Sequence, residues 1–418
     1  MAEFAASAHA PTTEARAITA ASCLDWLAVG RAGAQEPVAN LVRSQGLDEG
    51  GRAQASVFGT ATLLPARSAA LINGTISHAL DYDDTHFAHI GHPSVAVFPA
   101  SLAVAEARGA SIREWLDASL IGLEASVRVG MWLGREHYQI GFHQTGTAGA
   151  FGAMLAAGRL TGLSRAQTEH GLGLVATRAG GLKAQFGTMG KPLNAGLAAS
   201  TGVEACAWAK QGFLSNPNAV EAFAQTHHGA ADNDAWSGLG QTWLFPGVSH
   251  KFHACCHGLH AALEAVKGQS AERISSVTVH THPRWMSVCN QPDPDTGLGV
   301  KFSYRAALGL MLHGHDTARL DVFSDALARD PTLHATRDKI SVTADDTIGE
   351  MQTRVVLRRG DGSEETLFHD LDAPQPVEAR AARVLSKARG LIGAQADDIR
   401  AALEKDGPVS EISQFLRA

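Results

Sequence analysis

Between Ala15 and about Lys267, apolar residues return at intervals of three and four along one segment after another, and these segments are dense in Ala, Leu and Gly. Ile18 to Val29, Ser101 to Arg108, Ile112 to Met131, Ala148 to Leu160 and Gly196 to Gln211 each carry this period, which predicts helices. Ala148 to Ala157 contains no charged residue, so that helix belongs near the centre of the body. Small side chains also let helix backbones approach one another closely. The expected body is therefore all-α.

The pattern changes after Gln269. Ile274 to His282 alternates and is rich in β-branched residues, and Gln352 to Arg358 alternates again before Arg359-Gly360-Asp361-Gly362-Ser363 and Glu365 to Phe368, which reads as a β-hairpin. Phe302 to His313 and Thr317 to Leu327 between them read as helical, and helix text resumes at Val377 after the break at Pro374-Gln375-Pro376. The expected fold is mainly α: a large helical domain over 1–268, a smaller α+β domain over 269–376, and C-terminal helices over 377–418 that return to the helical domain. A chain of 418 residues exceeds one ordinary core, in line with two domains.

Composition removes several classes of function. Net charge is −7 with Lys and Arg scattered rather than clustered, which argues against a nucleic-acid partner. The longest apolar stretches, such as Leu193 to Trp208, are broken by Asn194, Ser200, Thr201 and Glu204, too soon to span a bilayer. Met1 to Arg16 lacks a basic start followed by an apolar block, and five cysteines, sparse and odd in number, suit reduced thiols, so a cytoplasmic location is expected.

Four windows carry chemistry. The richest is His78 to Ser94, with Asp81, Asp83, Asp84, His78, His86, His89 and His92 set between apolar segments. Such groups are costly to bury unless they pair or meet a ligand. His86, His89 and His92 with an aspartate supply metal donors, but that spacing drifts around a helix and Gly91-His92-Pro93 would end one, so no metal is expected. A second window, Lys251 to His260, holds Cys255, Cys256 and His257; adjacent cysteines rarely chelate together, and buried thiols are the competing reading. A third, Thr177 to Pro192, is Gly-rich and free of acids, and its Arg178, Lys183 and Lys191 suit recognition of an anion. The fourth, Arg135 to Thr147, places Tyr138 and His143 just ahead of the Ala-rich helix, a reasonable acid–base position.

Taken in order, His78-Ala79-Leu80-Asp81-Tyr82-Asp83-Asp84-Thr85-His86, Gly91-His92-Pro93-Ser94, Gly141-Phe142-His143, Gly187-Thr188-Met189-Gly190-Lys191-Pro192-Leu193, Lys251 with Cys255-Cys256, and Lys301-Phe302-Ser303 resemble the MmgE/PrpD family. That family includes 2-methylcitrate dehydratases, cis-aconitate decarboxylases and iminodisuccinate epimerases. The resemblance implies a helical domain with an α+β lid, a homodimer, and catalysis without metal or organic cofactor. It places pocket residues on Asp81, Thr85, His92, His143 and Lys191, with a further residue from the Lys251 to His260 region. There the sequence departs from some decarboxylases, which carry His where Cys256 stands, with His257 beside it.

The expected function is a cofactor-independent lyase that dehydrates or decarboxylates a small di- or tricarboxylate. His143, Lys191, His92, Asp81 and Tyr138 are the catalytic candidates, and Thr85, Arg178, Lys183, Lys251, Cys256 and His257 the substrate-binding candidates. An epimerase of an amino-dicarboxylate such as iminodisuccinate uses the same base and acid on opposite faces, with Tyr138 as the second group. A carboxylate-binding homologue without activity and a zinc hydrolase are the readings from other classes.

Overall fold

The computed structural model describes residues 1–7 and 9–417. The chain forms two compact units, one of Met1–His250 with Val377–Ala418, the other of Lys251–Pro376.

At the centre of the larger unit lies the helix Gln144–Thr161, buried along nearly its whole length. Helices Ser94–Arg108, Ile112–Ile140 and Gly190–Lys210 pack around it, and Ala66–Ser77 packs on Gly190–Lys210. Its uncharged composition is what permits that position. A close approach falls at Gly122 and Gly152, where a Cβ on either glycine would sit 2.5 or 2.4 Å from the other's carbonyl oxygen. Ser111 with Glu114 and Ser164 with Gln167 form reciprocal capping boxes that fix where two of the helices begin.

Helix boundaries differ from the sequence pattern where proline and glycine act. The helix expected from Ser101 begins at Ser94, because Pro99 is accommodated inside it. The helix Ile112–Ile140 runs on past Met131 but is interrupted at Gly134, whose φ of 75° is not helical. A two-stranded hairpin, Ala55–Val57 with Thr60–Leu64, is the addition to the helical body. Helix Val377–Ile392 returns to pack on Thr13–Gly33, followed by Gln395–Leu403 and Ser410–Arg417.

In the smaller unit the strands Ile274–Thr281, Ile340–Ala344, Gln352–Arg359 and Glu364–Asp370 form one sheet in the spatial order second, first, third, fourth. The first two pair in parallel, and the connection between them carries helices Tyr304–Leu312 and Pro331–Arg337. The hairpin expected around Gly360-Asp361-Gly362 is present. Ile340–Ala344 gives little signal in the sequence because it is short and mostly exposed. Of the helix expected over Thr317 to Leu327, only a 3₁₀ turn at Leu320–Val322 and the short Asp325–Ala328 form. The unit starts at Lys251 rather than 269, since helix His260–Ala265 packs on the strands Gln352–Arg359 and Glu364–Asp370.

The Gly122–Gly152 contact leaves no room for a branched side chain. Gly152→Val should destabilise the protein by about 2 kcal/mol or more through overpacking. Denaturant unfolding would show this as a lower midpoint, and an unchanged midpoint would contradict the packing described.

Candidate active site

The site begins where helix Ala66–Ser77 ends. His78 closes that helix, and the chain then turns at Asp81, which takes a left-handed φ of 51°, a conformation aspartate tolerates better than most residues. The loop is pinned on both flanks: Thr85 exchanges backbone hydrogen bonds with Ser249 at 2.9 and 2.7 Å, and His86 N–H donates to the Gly91 carbonyl at 2.9 Å. His89 fills the space beside Gly91 and Gly130, where an added Cβ would meet it at 2.7 to 2.9 Å, and its Nε2 lies 3.1 Å from Ser126 Oγ. His86 Nε2 reaches the Leu244 carbonyl at 3.0 Å. These two histidines are structural posts for the loop.

Ahead of them the loop presents Asp83, fully buried, to two imidazoles. Asp83 Oδ1 lies 2.9 Å from His78 Nδ1, and Oδ2 lies 2.8 Å from His92 Nδ1. Burial pushes the Asp83 carboxyl up, yet the two rings against it outweigh that and hold it well below the usual carboxylate range. Burial lowers His92 to about 4 despite the attraction of Asp83, so the ring is neutral at pH 7. Its Nε2 faces Asp81 Oδ1 at 3.6 Å, and Asp81 Oδ2 holds Lys191 Nζ at 2.7 Å.

His143 joins from the other side. Its ring stacks on His78 with centroids 5.9 Å apart and meets Phe186 edge-on at 4.9 Å, while Lys191 Nζ lies 5.2 Å from the Phe186 ring centre. Burial first, and then the neighbouring positive groups, drive His143 well below the ordinary imidazole range. Asn194 Nδ2 lies 3.1 Å from His143 Nδ1; with the amide donating there, the neutral ring keeps its proton on Nε2. Backbone bonds from His143 N–H to Gly181 (2.9 Å) and from Lys183 N–H to Gly141 (2.8 Å) carry the Gly-rich window against this segment.

Three of these residues stand at helix starts. His92 precedes Ser94–Arg108 by two residues, His143 is the N-cap of Gln144–Thr161, and Lys191 is the second residue of Gly190–Lys210, where Pro192 costs nothing because first-turn N–H groups lack helical partners. Positive dipole ends lower imidazole basicity and favour a bound anion. Lys191 is a cation at such an end, and Asp81 supplies the counter-charge it needs.

His78, Asp81, Asp83 and His92 also offer donor atoms within 4.8 Å of one another, a set that could hold a metal ion. A metal there would have to displace Lys191 from Asp81 and part Asp83 from both imidazoles. The donors fit the internal network better than a cation.

Thus Asp81, His92, His143 and Lys191 come together, with Thr85 in the same loop. His78 and Asp83 stand in the richest window without being singled out there as site residues, and of Asn194 and Phe186 only Asn194 has a positional signal, one helical turn beyond Lys191. Arg178 is drawn away, pairing with Glu204 at 2.8 Å over the Trp208 ring. Tyr138 and Lys183 form a pair of their own, the ammonium 3.8 Å from the ring centre and 3.0 Å from the Tyr138 carbonyl. Lys251, Cys256 and His257 belong to the smaller unit, where the His257 ring lies 4.6 Å from that of His260.

The MmgE/PrpD N-terminal domain model matches residues 1–233 and the MmgE/PrpD C-terminal domain model matches 253–402. The chain belongs to the MmgE/PrpD family. Among similar proteins, a cis-aconitate decarboxylase-like protein, oryM, of Aspergillus oryzae is 27% identical over 292 residues, covering 64% of this chain and 61% of that protein. The cis-aconitate decarboxylase of Aspergillus terreus is 24% identical over 388 residues, covering 82% of this chain and 78% of its own length. That of Homo sapiens is 30% identical over 205 residues, covering 47% and 42%. No helix among the described residues of this MmgE/PrpD protein is long and apolar enough to cross a membrane.

The buried rings set the acid limit of stability. His86, His92 and His137 are lowered to about 4 and His89 to about 3, in each case mainly by burial. As pH falls from about 6.5 toward 4, the unfolded chain takes up protons that the folded rings refuse, so stability falls. Asp84, raised to about 7 by burial, and Glu106, raised by burial as well, act in the opposite sense, but the four rings are joined by His143, His250 and His260, which burial also lowers. The melting temperature should therefore drop between pH 6.5 and 4.5, and a flat or rising profile would contradict the burial of neutral imidazoles.

Proposed function

We propose that this chain is a lyase that works without metal or organic cofactor on a small di- or tricarboxylate, with cis-aconitate decarboxylation or 2-methylcitrate dehydration as the reactions to test first. The observation that carries the reading is the gathering of Lys191 and two neutral imidazoles at three helix N-termini, an environment that attracts carboxylates and can move protons beside them. Names of relatives over much of the chain point the same way.

Loss of carbon dioxide, or of a proton ahead of water loss, leaves an electron pair on carbon conjugated with a neighbouring carboxylate. Stabilising that charge calls for a fixed cation, and completing the reaction calls for a positioned acid. Lys191, steadied by Asp81, clamps the carboxylate where charge develops. His143, with Asn194 on Nδ1, offers the Nε2 proton. Asp83 orients His92 so that its Nε2 faces the same space, for a second carboxylate or for a proton. Thr85 donates a hydrogen bond to the substrate.

Incubation with cis-aconitate, 2-methylcitrate or iminodisuccinate in deuterated buffer, followed by NMR, tests the reading. An alkene product or released carbon dioxide is expected, whereas deuterium exchange with a retained skeleton would replace the lyase by an epimerase. His143→Ala and Lys191→Ala should each lower kcat/KM by roughly 10²- to 10⁴-fold while the protein still melts cooperatively. Parent-like activity in both variants would remove the assigned roles. Chelation with EDTA should leave the rate unchanged, and stoichiometric zinc in the purified protein would overturn the metal-free mechanism.

A further inference from the structure

The smaller unit contains two thiols that the proposed chemistry does not use as a pair. Cys256 precedes the 3₁₀ turn His257–Leu259, and Cys289 follows the 3₁₀ turn Pro283–Ser287. Far apart in sequence, their sulfurs lie 3.1 Å from each other. Both backbones are tied to the same short segment: Cys256 N–H donates to the Lys301 carbonyl at 3.0 Å, and the Cys289 carbonyl accepts from Tyr304 N–H at 3.1 Å. Tyr304, itself buried, donates its hydroxyl to the Gly258 carbonyl at 2.7 Å, and a Cβ on Gly258 would come within 2.9 Å of Cys289 Sγ and 2.5 Å of the Trp285 ring. The two sulfurs are thus held in register by surrounding packing. A disulfide bond is about 2.0 Å long, so closure needs the sulfurs to approach by only about 1 Å.

We propose that Cys256 and Cys289 are a reversible dithiol–disulfide site, with Cys256 the thiol attacked by oxidant and Cys289 the thiol that resolves it. Cys256 is half-buried, whereas Cys289 is fully buried. Cys289 directs its S–H toward the Cys256 sulfur; that hydrogen bond, together with burial, keeps its proton on well above the ordinary thiol range. The same hydrogen bond favours a thiolate on Cys256, the nucleophilic form. With hydrogen peroxide as oxidant, the Cys256 thiolate attacks one oxygen, the O–O bond breaks, and Cys256 becomes a sulfenic acid while hydroxide leaves and is protonated to water. Cys289 sulfur then attacks Cys256 sulfur, the S–S bond forms, and the S–O bond breaks, the departing hydroxyl taking the Cys289 proton as a second water. Two thiols lose two electrons and one peroxide becomes two waters.

Cys255, buried and adjacent in sequence, is the competing partner. Its backbone N–H donates to the His253 carbonyl at 2.8 Å rather than to the segment that holds the other two.

The folded full chain is treated with one equivalent of hydrogen peroxide, blocked with iodoacetamide, and mapped by mass spectrometry without reduction. A peptide linking Cys256 to Cys289, a loss of two titratable thiols per chain, and full reversal by dithiothreitol are expected. Cys289→Ser should instead accumulate a dimedone-reactive sulfenic acid at Cys256, and Cys256→Ser should leave Cys289 unmodified. A link through Cys255, or peroxide treatment that leaves both Cys256 and Cys289 alkylatable, overturns the proposal. The parent map decides this even where a variant fails to fold.

Discussion

A carboxylate sealed in a protein interior must be given partners, and Asp83 is given two imidazoles, His78 from the end of one helix and His92 from the start of another. Much of the surrounding architecture follows from keeping those three groups in place. The loop between the helices needs a left-handed residue at Asp81, a backbone clasp from Thr85 to Ser249, and His86 and His89 wedged beneath it. The same loop then has little freedom, so Asp81 meets Lys191 with a defined geometry. Removing either imidazole would leave one oxygen of a buried carboxylate without its partner, which costs more than the contact itself is worth.

The C-terminal helices explain why the chain returns to the larger unit after Pro376. Lys387, on Val377–Ile392, pairs with Asp25 at 2.7 Å, donates to the Tyr82 carbonyl at 2.6 Å and lies 3.9 Å from the Tyr82 ring centre. Nearly fully buried, it anchors the peptide between Asp81 and Asp83 from below. Arg380 on the same helix bonds the Pro246 carbonyl and His250 Nδ1, and Ser22 from Thr13–Gly33 meets His250 Nε2 at 2.9 Å. Residues far along the sequence thereby support the loop that carries the candidate chemistry.

The helix N-termini give the site its electrostatic character. Each would be favourable for an anion alone, and three together, with Lys191 added, leave positive potential balanced within the protein by Asp81 and Asp83. His143 and His92 are kept neutral there by burial, so either can give up or accept a proton without first shedding a charge.

Helical periodicity, the uncharged run at Ala148 to Ala157 and the alternation after Gln269 were sufficient to establish a mainly α body with a smaller α+β unit, because these patterns reflect burial on one face and are local. Asp81, His92, His143 and Lys191 were legible as chemistry for a similar reason: each is a costly group beside apolar helix text. What only the tertiary structure decided is which costly groups face one another. Arg178 suits an anion by residue type, as Lys183 and Lys191 do, yet Glu204 claims it across the fold; Asp83 and His78 share a window with Asp81 and His92 in which nothing local shows that they pair, yet they organise the cluster. Pairings of this kind join residues from separate helices and depend on how backbones pack at contacts such as Gly122 with Gly152, which no period along the chain encodes.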